Sequence, residues 1–459
     1  MKTLWVAIGI SVVVSGGAGA QLARTQPQEK LLIVPFPVSH QADTTMSLAL
    51  ADAVRDKVTS ANRYRMLVVP KNKICEALGM SGFACTVLEP GQARELARAM
   101  GVDAYVTGRI ERVGNAHRVL LRVVDVNRPG YAATFDVGPD AGGTGANGTS
   151  ALADTVASLI NTIIKAGEHA RACMDAREKN NPRGAVASAQ RAFQQYSRIA
   201  AAHLCMFYVY EIQRQPADSM IAALRRALEG DSLNVRAWEA LARQLLAKGD
   251  SAGGVAAFEG ELRADPANQN LRIAVARLHL RMKNYDKALV HARAAQERNP
   301  SDGQINELVI EICRDAGNWS CQLSALEKKA EFNPAELDDS TFYPPVIGAA
   351  QQAHDTLKYA HWTYEAAKRY PANVTFLKAH GDAMMWLARS DSALTMYRKA
   401  LQRTPGDMSV TLLVASALIE RPTWDSARFN RCRRANDSTC VRAMQATFAA
   451  SLDTAKTYL

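Results

Sequence analysis

The side chains best suited to covalent chemistry in this sequence are its eight cysteines. A structural zinc site would need close C-x-x-C or histidine-paired spacing, which the sequence lacks. The local grouping instead favours disulfide bonds, although eight cysteines permit many other connectivities. The four local couples are Cys75 with Cys85, Cys173 with Cys205, Cys313 with Cys321, and Cys432 with Cys440.

No catalytic set is visible in the sequence. It contains no G-x-S-x-G, H-E-x-x-H, P-loop or G-x-G-x-x-G pattern. His354 and His361 are seven residues apart and could share a helix face, but two ligands do not make a stable zinc site. His279 and His380 fall at positions where packing side chains are expected. We therefore expect no catalytic residue, no metal ligand set and no cofactor.

Arginines at helical spacing are the better candidates for a binding surface. Arg243 and Arg277 are 34 residues apart and could form a fork for a carboxylate. Glu307 and Glu311 follow one period later, so the basic character does not persist. A solvated helix surface is the alternative, since exposed arginine is usual on helices. The candidate partner-binding residues are Arg236, Arg243, Arg277 and Arg281.

The elements that would position these arginines follow from a repeat that starts near residue 167. Its period is 34 residues, marked by a proline that ends each unit. Proline ends a helix because it lacks an amide N–H and its ring clashes with the preceding turn. Gly249-Asp250 and Gly317-Asn318 fall at one phase and predict a turn between two helices. The marker residues are Pro266, Pro300, Pro334, Pro371 and Pro405.

These repeats resemble the tetratricopeptide repeat family from about residue 167 to 430. The unit from Val374 to Asp407 matches best, and the unit from Val235 to Asn268 departs at Gly254 and Glu261, where alanines are usual. The resemblance implies stacked helical hairpins whose inner groove binds an extended peptide or a helix of a partner protein. The matching residues of the best unit are Gly381, Ala393, Tyr397, Ala400 and Pro405.

The N-terminal residues have a different pattern, typical of a small α/β domain over 30–166. Apolar runs predict strands, and Val113–Ala116 supplies the turn of a hairpin. The predicted strands are Leu31–Val38, Tyr64–Val69, Ala104–Arg112 and Arg118–Val126. The predicted helices are Thr44–Ser60, Pro90–Met100 and Ala151–Ile164, with a loop over Asp140–Ser150.

Three phrases of this region resemble the amino-terminal domain of TolB and its relatives. They are VPF from Val34, LARAMGVDAYVTGRI from Leu96, and LLRVVDV from Leu120. The resemblance implies a periplasmic protein-binding module. The sequence departs from that family at Asn127–Gly130 and in the Cys75–Cys85 segment, which we expect to be a stapled loop.

The first residues predict export. Lys2, the apolar run Leu4–Val14 and the small residues Ala18-Gly19-Ala20 form the pattern of a secretory signal peptide. An uncleaved anchor is the alternative. We expect cleavage near Ala20 and a periplasmic or secreted protein, with no transmembrane segment in the mature chain. The net charge of +10 is a weak bias toward anionic partners, and export disfavours nucleic acid.

Together these observations predict an α+β protein. The expected domains are a signal peptide at 1–20, a linker at 21–29, the α/β domain at 30–166, and six to seven helical hairpins at 167–459. The expected function is a non-enzymatic cell-envelope scaffold that binds partner proteins through its groove and its N-terminal module. The alternative is a glycan- or small-molecule-binding accessory of envelope polymer assembly. A hydrolase is disfavoured because no role-bearing set of residues was found.

Overall fold

The fold is given by a computed structural model of the 459-residue chain. The structure describes residues 29–62, 66–114, 116–128, 132–138, 148–420 and 426–457. The predicted signal peptide and nearly all of the linker lie outside these residues, as does most of the predicted loop at Asp140–Ser150. The chain divides into two compact units, Met1–Ala257 and Phe258–Leu459.

The first unit begins with a five-stranded sheet in the order β2-β1-β3-β4-β5. β1 pairs parallel with β2 and β3, and β3, β4 and β5 are antiparallel. The strands are β1 Glu29–Ile33, β2 Met66–Val68, β3 Ala104–Val113, β4 Ala116–Asp125 and β5 Ala132–Val137. The helices between them are α1 Thr44–Ala61, α2 Lys71–Met80 and α3 Pro90–Ala99.

The central strand β1 shows why the apolar run at its sequence becomes a buried strand. Side chains alternate between the faces of a strand, so a strand covered on both faces needs a continuous apolar run. Leu31 and Ile33 pack in one core with α1, whereas Leu32 and Val34 pack in another with α2 and α3. The strand ends at Ile33, earlier than predicted, because Pro35 and Pro37 offer no amide hydrogen for a ladder.

The long helix α4, Gly148–Glu178, joins the sheet to the helical hairpins. It runs through residues 166 and 167, where the sequence suggested a domain boundary. Its buried residues Ile160, Ile163, Ala166 and Ala170 recur every three or four positions, so one apolar stripe continues across that point. The core that contains Leu31 also extends into α5 Pro182–Gln195 and α6 Ala200–Ile212.

An ion pair fastens the sheet to the first hairpins. Arg122 in β4 donates two hydrogen bonds of 2.9 Å to the carboxylate of Asp231, which is fully buried. Asp231 follows α7, Ala217–Gly230. A buried carboxylate is tolerated when it is paired and hydrogen-bonded, and loss of one partner leaves an uncompensated charge. This pair therefore makes the sheet and the segment after α7 depend on each other.

The remaining elements are antiparallel pairs of helices. In the first unit and across its end they are α8 Val235–Ala247 and α9 Ser251–Ala264. In the second unit they are α10 Gln269–Arg281, α11 Tyr285–Arg298, α12 Gly303–Asp315, α13 Trp319–Phe332, α14 Tyr343–Gln352 and α15 Thr356–Arg369. They continue with α16 Val374–Trp386, α17 Ser390–Arg403, α18 Met408–Glu420, α19 Ser426–Arg434 and α20 Ser438–Lys456.

A capping residue recurs with the 34-residue period at the start of the first helix of each hairpin. Its side-chain oxygen accepts a backbone N–H of the first turn, which would otherwise lack a partner. Asn268, for example, accepts from the amide of Leu271 at 3.0 Å. The equivalent caps are Asn234, Asn268, Asp302, Asn373 and Asp407.

A residue with positive φ recurs at the turn inside each hairpin. It ends the first helix in the left-handed conformation that helix C-termini commonly adopt. Glycine fills this position only at Gly249 and Gly317; the other residues carry a side chain. The turns are at Asn180, Arg214, Gly249, Lys283, Gly317, His354 and Ala388, spaced 34 to 37 residues apart.

The described elements confirm the predicted fold class, α+β, with a small N-terminal sheet followed mainly by helical hairpins. Two elements lie outside the predicted ones, the helix α2 and the edge strand β5. Within the described part of the chain, no helix is both long enough and apolar enough to cross a membrane.

Candidate functional site

The four candidate arginines all lie exposed on first helices of hairpins. Arg236 and Arg243 are on α8 in the first unit, and Arg277 and Arg281 are on α10 in the second. Arg243 pairs with Glu239 one turn earlier, at 2.9 Å between Nη2 and Oε1. Because exposed pairs of this kind are worth only about 0.3–0.5 kcal/mol, the guanidinium can be given up to a ligand. The fork between Arg243 and Arg277 stays a prediction, since these residues belong to different units.

Arg277 lines a shallow groove of about 260 Å³ together with residues of α12. The carboxylates of Glu307 and Glu311 line the same groove, and Glu307 also pairs with Lys329 at 2.6 Å. The groove therefore offers both signs of charge within one period of the repeat. A ligand that fits it would bring an acidic group to Arg277 and a donor to the two glutamates.

The cysteines are joined in the four couples that the local grouping predicts. The distances between Cα atoms are 4.9, 6.3, 5.6 and 5.8 Å in chain order, within the usual range for disulfides. Cys75 lies in α2, so half of the expected stapled loop is helical. No cysteine of the described residues is free, which leaves no thiol nucleophile there.

The histidines are placed differently from one another. His354 is the left-handed residue before α15, whereas His361 lies inside that helix, so the two do not share a helix face as the sequence suggested. The reason is that the helix α14 ends before His354. His380 is buried, with Nδ1 3.3 Å from the hydroxyl of Thr363, and burial lowers its pKa. It has the packing role that its repeat position suggests.

The structure brings together three residues that the sequence did not single out as a set: Glu259 in α9, His279 in α10 and His291 in α11. Nε2 of His279 lies 3.0 Å from Oε1 of Glu259, and Nε2 of His291 lies 3.9 Å from the same oxygen. The two imidazole rings are nearly parallel, with centroids 5.7 Å apart. Burial, followed by the neighbouring His279, lowers the pKa of His291.

This cluster, named here the His–Glu cluster, was not found by sequence reasoning because no short motif connects its members. Glu259 precedes His279 by 20 residues, and His291 follows by 12, on three successive helices. The available signal was that His279 stands where these repeats usually place a packing aromatic residue. Its burial at 2% exposure explains that position, but the polar partners could be identified only in three dimensions.

The hairpins define the class of the repeats. Residues 217–269, which span α7, α8 and α9, match the family model of the tetratricopeptide repeat. Tetratricopeptide repeats in this chain are thus supported by a sequence match as well as by the caps and turns of the 34-residue period. The comparison with curated proteins finds no match.

Several solved structures are similar at low identity. A tetratricopeptide repeat protein from Parabacteroides merdae is 13% identical, over 55% of this chain and 99% of that one, with a TM-score of 0.27. YrrB, a tetratricopeptide repeat protein with an unusual peptide-binding site, is 14% identical over 41% and 96%, with a TM-score of 0.27. Naa15/Naa10 bound to HypK-THB is 14% identical over 64% and 46%, with a TM-score of 0.39. These scores are below 0.5, so the fold assignment rests on the hairpins and the matched segment.

Proposed function

We infer that the chain is a non-enzymatic scaffold of the cell envelope that holds partner proteins along the first helices of its hairpins. The observation that carries this proposal is the regular repeat of tetratricopeptide-type hairpins with exposed charged residues on those first helices. Stacked hairpins present equivalent positions of successive units side by side, which suits an extended peptide or a helix. The groove between Arg277 and the glutamates of α12 is one segment of such a surface.

Placement in the cell envelope is supported by two independent features. The sequence of residues 1–20 has the pattern of a signal peptide, and the cysteines are paired in disulfides, which persist mainly in oxidising compartments. The TolB-like phrases around β1, β3 and β4 support a second protein-binding surface on the N-terminal sheet. We propose that this sheet docks one partner while the hairpins hold another.

The test is capture of partners by the double variant Arg243→Glu and Arg277→Glu, after crosslinking in cells that make the protein and mass spectrometry. We expect captured partners to fall about tenfold or more, because reversed charge repels an acidic group and each lost charged contact costs roughly 1 kcal/mol or more. The melting temperature should not change, since both side chains are exposed.

The matched control is the double variant Arg298→Glu and Arg403→Glu. These arginines are also exposed but lie near the ends of second helices, α11 and α17, and the change in net charge is the same. Partners should be retained. Equal capture by both double variants would exclude the first helices as the binding surface.

A further inference from the structure

We propose that the His–Glu cluster is a binding site for a divalent transition metal of the zinc class. The side chains of Glu259, His279 and His291 each offer a ligand atom, and these atoms lie within 4.8 Å of one another. Two imidazoles and one carboxylate are a donor set that zinc accepts, with three protein ligands and one position left for water. The site adds to the scaffold function and does not depend on it.

The distances between the donor atoms suit a small tetrahedral ion. With bonds of about 2.0–2.1 Å, neighbouring ligand atoms of tetrahedral zinc are about 3.4 Å apart. The two measured separations, 3.0 Å and 3.9 Å from Oε1 of Glu259 to the two Nε2 atoms, lie on either side of that value. Small side-chain shifts would therefore bring all three donors to one ion.

Hydrogen bonding within the protein does not account for the cluster. The contact of His291 with Glu259 at 3.9 Å is too long for a hydrogen bond. Nδ1 of His279 and Nδ1 of His291 are both buried without a hydrogen-bond partner. Because buried polar atoms are normally paired, two adjacent imidazoles with so few bonds are unusual, and a ligand ion would give both Nε2 atoms a partner.

One neighbouring cation competes for the carboxylate. Nζ of Lys287 lies 3.6 Å from Oε1 of Glu259, but the lysine side chain is 64% exposed and extends along the surface. A flexible exposed ammonium can move away at little cost, whereas His279, 3% exposed in its side chain, is fixed. Removal of the lysine charge, as in Lys287→Gln, should therefore tighten metal binding.

The experiment uses the full chain with its disulfides intact, freed of metal with a chelator, without a histidine tag. Zn²⁺ is titrated at pH 7.5 by calorimetry, and Co²⁺ is added separately to record its visible absorption. We expect one ion per chain, the intense visible bands of low-coordinate Co²⁺, and a higher melting temperature with Zn²⁺, as ligands that bind the native state produce.

Two variants test the ligands. Glu259→Gln and His291→Gln should each weaken Zn²⁺ binding by at least about tenfold and remove the Co²⁺ bands. The matched control is His361→Gln, an exposed histidine in α15 that should leave binding unchanged. If neither ion binds saturably, or if both ligand variants bind as the unaltered chain does, the cluster is a histidine–glutamate ion pair only and the proposal is wrong.

Discussion

Gly381 in α16 shows how one residue sets the distance between two helices. A Cβ atom at this position would stand inside van der Waals contact of Cε1, Cδ1 and Cζ of Tyr397 in α17. The tyrosine ring is almost fully buried, and its hydroxyl donates to Asp382 at 2.6 Å. The ring therefore has little room to move, and burial together with Asp382 raises the pKa of Tyr397.

We expect Gly381→Ala to destabilise the protein by about 1 kcal/mol. Overpacking costs roughly 1–3 kcal/mol, and the higher helix propensity of alanine recovers up to about 1 kcal/mol. Denaturant unfolding monitored by circular dichroism measures the difference. The matched control is Gly348→Ala in α14, where an added Cβ meets nothing within 4 Å. That variant should be neutral or more stable, and a stabilised Gly381→Ala would show that the contact is not tight.

At the scale of the element, α15 and α16 pack around a buried polar contact. His380 lies against Thr363 and the ring of Tyr364, and burial lowers its pKa. The unfolded chain, where the histidine pKa is near its ordinary value of 6.5, therefore binds a proton more readily than the folded chain. By linkage, this site contributes full stability above pH 6.5 and loses it as the pH falls toward the folded pKa.

We expect His380→Leu to flatten the pH dependence of the melting temperature between pH 7.5 and about 5, because leucine carries no proton in either state. Calorimetric scans across that range measure the slope. His361→Leu, an exposed site on α15, should keep the slope of the unaltered chain. An equal acid sensitivity in His380→Leu would mean that other groups control it.

The hairpins could be predicted because their signals are local and repeat. Proline, glycine and asparagine act within a few residues, so one phase of 34 residues fixes each helix end. The excess of three residues after Pro334 becomes two short 3₁₀ turns, Pro334–Asp338 and Ser340–Phe342, before α14 begins at Tyr343. The late start predicted for this helix is confirmed.

The rest of the architecture depends on contacts that a single sequence does not reveal. β5 is a six-residue edge strand that forms only against β4, and its sequence AATFDV has no strong period. The His–Glu cluster likewise requires three helices to meet. The candidate arginines were placed correctly on first helices, but the acidic side of the Arg277 groove reverses part of the charge expected there.

At the scale of the whole molecule, the first unit is built around a core that the sheet does not complete alone. Apolar residues of α5 and α6, including Ala189 and Val209, belong to the same buried cluster as Leu31 and Leu121. Arg122 finds its partner carboxylate only at Asp231. The sheet region therefore relies on the hairpins that follow it in sequence.

We expect residues 29–264 to unfold cooperatively and residues 29–166 to show no cooperative transition. The shorter chain cuts α4, exposes apolar surface of the sheet core and leaves Arg122 without Asp231. Thermal melts by circular dichroism, with near-ultraviolet signals as a measure of packing, distinguish the two. A sharp transition in residues 29–166 would instead establish the sheet region as an independent domain.

The disulfides join each cysteine to the next one along the chain, with separations of 10, 32, 8 and 8 residues. A polypeptide that is oxidised as it emerges from its N-terminus meets its native partners in the order of their appearance. No bond has to wait for a distant sulfur, and none must be broken and remade. In an oxidising compartment, this protein would thus mature with a simple thiol oxidase and without an isomerase.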